Sequence, residues 1–268
     1  MTHFGPIAIG AGLSALLLHE RNARRAAERM AAAALETLLN AIDANDSQTG
    51  AHVRRVAHYA LIIGDAAGWD EGTLRSIERV ALFHDIGKIH EALFDIIHEG
   101  AELSEDERRA IATHPRRGAD VLAPLKSFYP ELPEGVLAHH EHWDGSGYPK
   151  GLRGLAIPLT SRVVAIADTF DAITHRRRYR DGRGADDAAA AISRARGTQF
   201  DPELVDLVLA PPVWEQILEA HRTSHRRRLR PAGKVDAKVP DVTFRWRSKT
   251  IDSAGAAHED GVGPAEAR

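Results

Sequence analysis

Val80-Ala81-Leu82-Phe83-His84-Asp85-Ile86-Gly87-Lys88 is the stretch on which the reading of the fold turns. Residues three or four apart stack on a helix and neighbours diverge by about 100°, so Val80, Phe83 and Gly87 share one face. Ala81, His84 and Asp85 stand beside it, and the imidazole and the carboxylate splay around one point. Gly87 is expected to stop the helix, after which Lys88 leaves the axis as a flexible cation suited to a phosphate. The rest of the chain is read for partners to that point.

Working outward, helix signals dominate. Ala23 to Ala44 is rich in Ala, Leu, Glu and Arg and reads as one long helical stalk. A helix is expected from His52 to Ala67, and Asp70 should cap the one that ends at Lys88. Ser104 and Glu107 form a capping box for a helix reaching His114, and Pro115 starts another. Pro133 opens a short helix to His140. Thr160 or Ser161 can cap the next, which runs to Ile173. Asp187 to Arg196 and Asp201 to Leu209 complete the set. No alternating strand is found, so an all-α helical bundle is expected.

Three domain segments follow: a stalk with an apolar start over 1–40, a main helical domain over 41–215, and a basic, disordered tail over 216–268. Phe4 to Leu18 is apolar apart from Ser14, with Arg21, Arg24 and Arg25 after it. As a helix it would span about 22 Å, short of the roughly 30 Å hydrocarbon core, so it reads either as a marginal membrane anchor or as a packing helix. The flank order is wrong for a cleaved signal peptide. If the segment inserts, the positive-inside rule leaves the rest in the cytoplasm, tethered to the inner membrane.

Composition narrows the chemistry. With 43% hydrophobic and 27% charged residues and a net charge of −3, the chain is an ordinary globular protein with no overall field for nucleic acid, which is not expected as a partner. The tail's His225 to Arg228 cluster could meet an anionic surface or serve only for solubility. Cysteine is absent, which rules out disulfides and thiolate metal sites. Histidine is abundant at 15 residues, so position has to decide which of them matter.

Besides His84 and Asp85, ligand-type side chains are expected at helix ends in four places: His52, His114, the pair His139-His140, and Asp168. All are nitrogen or oxygen donors, suited to iron, manganese or another first-row divalent ion. Five imidazoles and two carboxylates exceed what one ion needs; two ions sharing a carboxylate would use them, as in sites that clamp both oxygens of a phosphoryl displacement. A lone histidine is more often a core or surface residue than a ligand. The text after His139-His140 weighs against that reading: Glu141-His142-Trp143-Asp144-Gly145-Ser146-Gly147-Tyr148-Pro149.

From about Ala41 to Leu209 the chain resembles the HD-GYP family of metal-dependent phosphodiesterases, a branch of the HD phosphohydrolases. The resemblance rests on His52-Val53-Arg54-Arg55-Val56, the His84 to Lys88 stretch, His114-Pro115, and His139 to Pro149. Ala167-Asp168-Thr169-Phe170-Asp171-Ala172-Ile173-Thr174 and Gly197-Thr198-Gln199-Phe200-Asp201-Pro202 continue it in family order.

The resemblance implies a pair of metal ions, iron or manganese. His52, His84, Asp85 and Asp168 would hold one, and Asp85 would bridge to a second held by His114, His139 and His140. Asp171 would orient a ligand or bond the attacking water, and Lys88 would face the scissile phosphate. Gly147 and Tyr148, with Arg177 and Arg180, would contact substrate. A water shared by two divalent ions is acidified, to a pKa of around 7 in the zinc case, which makes hydroxide available at neutral pH. Cyclic di-GMP would be the substrate, with pGpG, GMP or both as product; a homodimer and GGDEF-type or other signalling partners are the protein partners to look for. A broader HD phosphohydrolase acting on another cyclic dinucleotide or nucleotide, and a non-catalytic cyclic di-GMP-binding or partner-docking module, are the alternatives.

Some departures and plainer readings stand beside this. Thr174-His175-Arg176-Arg177-Arg178-Tyr179-Arg180 lacks the proline of the family's Thr-Ser-x-Arg-Pro-Tyr-Arg, and Arg176 to Arg178 could be a solvated basic turn. Three-metal members carry a glutamate one turn before the first histidine; Gln48 stands there, so two ions are expected. Ile89 to Phe94 also differs from the family's usual Gly-Ile-Pro-Asp and could reshape the rim. Lys88 could be an exposed lysine after a helix stop, and Gly145 and Gly147 could mark an ordinary turn.

Overall fold

The computed structural model describes residues 5–89, 104–175 and 184–228. Ten α-helices and no strand occur among them. The described residues from Ala33 onward form one compact unit.

Helix α1 runs Gly5–Asn45, so the apolar start and the stalk are one helix, with Pro6 in its first turn and no proline after it. Leu35, Leu39 and Ile42, spaced by three or four, are its buried face in the compact unit. Among the described residues no helix is long and apolar enough to cross a membrane.

Helix α2, Ser47–Ala66, starts five residues before the expected His52 because the Asp46 carboxylate accepts the backbone N–H of Gln48 and Thr49. A paired Asp43 and Arg54 join the end of α1 to α2. Helix α3 is Glu71–Phe83, capped by Asp70 as read. It stops five residues short of Lys88, with a 3-10 turn over Ile86–Ile89.

Gly87 does not end a helix in the left-handed conformation. Its role is close approach: a Cβ there would lie 2.1 Å from His114 O and 2.7 Å from Gly118 N. This seats the turn on α5, His114–Leu122, which follows α4, Glu105–Ile111, with the expected Ser104–Glu107 capping box.

Helix α6 spans Glu131–Ala138 and α7 spans Leu159–Thr174. Thr160 and Ser161 lie inside α7 and do not cap it; the Ser161 hydroxyl donates to Gly135 O of α6 at 2.9 Å. Helix α8 is Ala185–Arg194, and α9 is Pro202–Leu209 with Asp201 capping it as expected.

Helix α10 runs Pro211–Arg228, so the first part of the expected tail, 216–228, is helical. Val213 and Ile217 are buried, and the Trp214 ring meets Phe170 of α7 edge-on at 5.5 Å. An apolar face at helical spacing is what holds that helix to the domain. The core lies where α2 packs on α3, α7 and α10, with α6 against α3, α5 and α7.

Candidate metal centre

The five imidazoles expected as ligands converge, together with Asp85 and Asp168. His52 comes from the first turns of α2, and His84 and Asp85 from the end of α3. His114 opens α5, His139 and His140 follow α6, and Asp168 sits mid-way along α7. Two groups have ligand atoms mutually within 4.8 Å: His52, His84 and Asp85, and His114, His139 and His140. Asp85 stands between them. Its Oδ1 is 3.3 Å from His114 Nε2, and its Oδ2 is 3.5 Å from His84 Nε2 and 3.8 Å from His52 Nε2. Asp168 Oδ1 lies 3.3 Å from His52 Nε2 and 3.9 Å from His84 Nε2.

The local backbone explains how three of the rings are aimed. His84, His114 and His139 each turn Nδ1 to the carbonyl three residues earlier: Ala81 at 2.8 Å, Ile111 at 2.7 Å and Val136 at 2.6 Å. A carbonyl only accepts, so Nδ1 carries the proton and each Nε2 presents a lone pair to the centre. His114 Nε2 and His139 Nε2 then face each other at 3.1 Å, two acceptors with nothing to share. His84 Nε2 and Asp85 Oδ1 are buried and make no hydrogen bond. Converging, unsatisfied donors of this kind fit divalent cations; ligands on one ion with bonds of about 2.1 Å lie roughly 3 Å apart.

The electrostatics agree with that fit. Burial lowers the pKa of His84 and carries that of His139 well below the usual histidine value, and His140 is brought down to about 3 by burial and its neighbour His114. These rings are therefore neutral, as ligands must be. Burial alone would raise the Asp85 carboxyl, but the Lys88 ammonium, 2.7 Å from Oδ2, and His84 hold it well below the ordinary range. Burial opposes ionisation of Asp168 as well, yet the bond and charge of His52 hold it low. His52 differs: burial lowers its pKa, yet Asp168 and Asp171 together push it up to about 9.

Asp171, one turn after Asp168, does not reach the centre directly. It accepts from His52 Nδ1 at 2.7 Å and from the Arg55 guanidinium at 2.7 and 2.8 Å. Arg55 was not singled out from the sequence, although its spacing of three from His52 on one helix is a signal that could have found it.

The Tyr148 ring stacks on His140, centroids 5.0 Å apart, and burial pushes its hydroxyl up to about 12. Gly147 is a place of close approach: a Cβ would lie 2.2 Å from His142 N and 2.5 Å from His140 O. Glu141, also not singled out, is buried and accepts the backbone N–H of Lys150 at 2.6 Å and of Leu152 at 2.9 Å, which closes the loop over the centre's edge. Trp143 and Asp144 donate their N–H to Gln199 O and Thr198 O, so the Gly197 to Phe200 turn holds the same loop. Gln48, where a further carboxylate would stand, is exposed. Arg177 and Arg180 lie outside the described residues.

The family model described as HD domain matches residues 36–204. The chain is 40% identical over 177 residues to the cyclic di-GMP phosphodiesterase response regulator RpfG of Xanthomonas campestris pv. campestris, covering 65% of this chain and 46% of that protein. It is 35% identical over 183 residues to 3'3'-cGAMP-specific phosphodiesterase 2 of Vibrio cholerae, covering 68% and 34%. The chain thus spans less than half the length of these two relatives. The cyclic GMP-AMP-specific phosphodiesterase V-cGAP3 of V. cholerae shares the fold, with a TM-score of 0.52 at 23% identity over 82% of this chain and 58% of that one.

Proposed function

The chain belongs to the HD-domain family, in its HD-GYP branch, and from that premise we propose that it is a metal-dependent phosphodiesterase that hydrolyses cyclic di-GMP to pGpG, GMP or both. The observation that carries the reading is the pair of triads joined by Asp85, with the Nε2 atoms of His84, His114 and His139 all aimed inward. His52, His84, Asp85 and Asp168 would hold one divalent ion and His114, His139 and His140 the other, with Asp85 shared. Nitrogen and oxygen donors without a thiolate favour iron or manganese. When bound, the ions would supply positive charge at the phosphate and the acidity that makes hydroxide available at neutral pH.

The chain's own residues do the rest. The three Nδ1–H to carbonyl bonds fix the imidazoles before substrate arrives, so no reorganisation is needed during reaction. Asp171 sets the tautomer of His52 by taking its Nδ1 proton in a hydrogen bond, directing Nε2 to the centre. Lys88, held beside the centre by Asp85, is the cation that meets the phosphate as negative charge develops. Tyr148, its hydroxyl protonated through the physiological range, offers a donor and an aromatic face at the rim for a guanine base or the second phosphate. Arg177 and Arg180 are assigned to the distal part of the substrate on the resemblance alone.

A second reading, hydrolysis of 3'3'-cGAMP, is favoured by the 35% identity to an enzyme named for that substrate. The test is turnover by manganese- or iron-loaded protein of cyclic di-GMP, 3'3'-cGAMP and bis-p-nitrophenyl phosphate. Faster turnover of cyclic di-GMP is expected. Preference for 3'3'-cGAMP selects the second reading, and equal rates on all three defeat both. Binding of cyclic di-GMP by metal-replete protein without turnover would show a binding module instead.

A further inference from the structure

The roles above leave one buried imidazole beside Asp171 without a part. His175 follows the last residue of α7, and its backbone N–H returns to Asp171 O at 3.0 Å. Its Nδ1 lies 3.0 Å from Asp171 Oδ1. The other face of the arrangement is α10: the His221 ring meets His175 edge-on at 4.8 Å and Phe170 at 5.7 Å.

Asp171 is therefore held from three directions, each constraining a different freedom. The paired Arg55 nitrogens fix the plane of the carboxylate, and His52 occupies Oδ2. His175 lies at Oδ1, on the side away from His52. A carboxylate without that neighbour could swing about its χ angles toward Arg55 and lengthen the His52 bond. His52 Nε2 reaches Asp168 and Asp85 only while Nδ1 stays on Asp171, because one ring cannot rotate at one nitrogen alone.

We propose that His175 is a positioning residue of the metal centre, holding Asp171 in the orientation that aims His52 Nε2 at Asp85 and Asp168, and that His221 packs it in place. The proposal rests on the reading of this cluster as a metal centre. Through it, the last described helix supports a ligand on the second one.

Metal retention tests it without reference to turnover. Manganese-loaded full chain is dialysed against graded chelator and the bound metal measured, with helical circular dichroism as the control for folding. His175→Phe keeps a ring against His221 but has no N–H. His175→Asn returns an N–H near the place of Nδ1. His175→Phe is expected to lose its first ion at about tenfold lower chelator concentration, the scale of effect when a ligand's orienting partner is removed, and His175→Asn to stay within about threefold of the parent protein.

Unchanged retention in His175→Phe, or equal loss in His175→Asn, overturns the proposal. If His175→Phe does not fold, nitrogen-15 spectra of the parent protein's imidazoles decide. A proton on Nδ1 of His175 is expected, and its absence overturns the proposal. Failure of the metal-centre reading itself would look different, since the parent protein would then retain no metal.

Discussion

Asp85 lies within 4 Å of an imidazole nitrogen in both triads and of the Lys88 ammonium, so its loss should be felt by both ions. Asp85→Asn keeps the shape and removes the charge. Its turnover of cyclic di-GMP should fall by a factor of about 10²–10³ or more, with lower metal content by elemental analysis; full activity would refute the assignment. His52 makes a second prediction, for chelated protein. Its folded pKa of about 9 lies above the unfolded value of roughly 6.5, so its stabilisation is complete below about pH 6.5 and is lost as pH rises toward 9. At ~1.4 kcal/mol per unit this amounts to at most about 3.5 kcal/mol in urea unfolding. The depressed Asp171 acts at the other end, its contribution present above pH ~4 and lost on further acidification. His52→Gln should flatten the alkaline fall; an equal slope in that variant would count against the His52–Asp171 bond. At this scale the ligand types were readable from the sequence because each stands in a short ordered motif. Arg55, Glu141 and His175 were not: the Arg55 partner Asp171 lies 116 positions away, and the partners of Glu141 and His175, though near in the chain, matter only because packing buries those side chains together.

The helices matter through the way their ends are seated. Gly87 on the turn after α3 and Gly118 on α5 approach so closely that a Cβ on Gly87 would overlap His114 O, and that contact brings Asp85 within reach of His114. Gly87→Ala is expected to cost roughly 1–3 kcal/mol in denaturant unfolding, from the displacement a new methyl forces on backbone, and to weaken metal retention at the same time. Stability and metal content both equal to the parent protein would remove this contact from the account. The expectation that Gly87 stops the helix suits a glycine after an apolar run, but the same residue type also serves wherever two backbones meet. Capping was legible at Asp70, Ser104 and Asp201, where the carboxylate or hydroxyl reaches its own first turn. It was not at Thr160 and Ser161, because Ser161 spends its hydroxyl on the neighbouring helix.

Across the compact unit of the described residues from Ala33 onward, α10 closes the core over α2 and α7, with Ile217 buried. Ile217→Ala should lower stability by about 2–4 kcal/mol, measured by urea unfolding of chelated protein; a loss under 0.5 kcal/mol would mean that α10 is not part of the folding unit. The helical class, the ligand-type residues and the family likeness can be read along the chain, because helix periodicity, caps and short motifs lie within a few residues of one another. That α10 continues to Arg228, that Gly87 is a contact between backbones, and that Asp171 is held by Arg55 and His175 emerges on packing. Those features depend on which faces meet after helices far apart in the chain have packed, and burial, unlike periodicity, is a property of the assembled core.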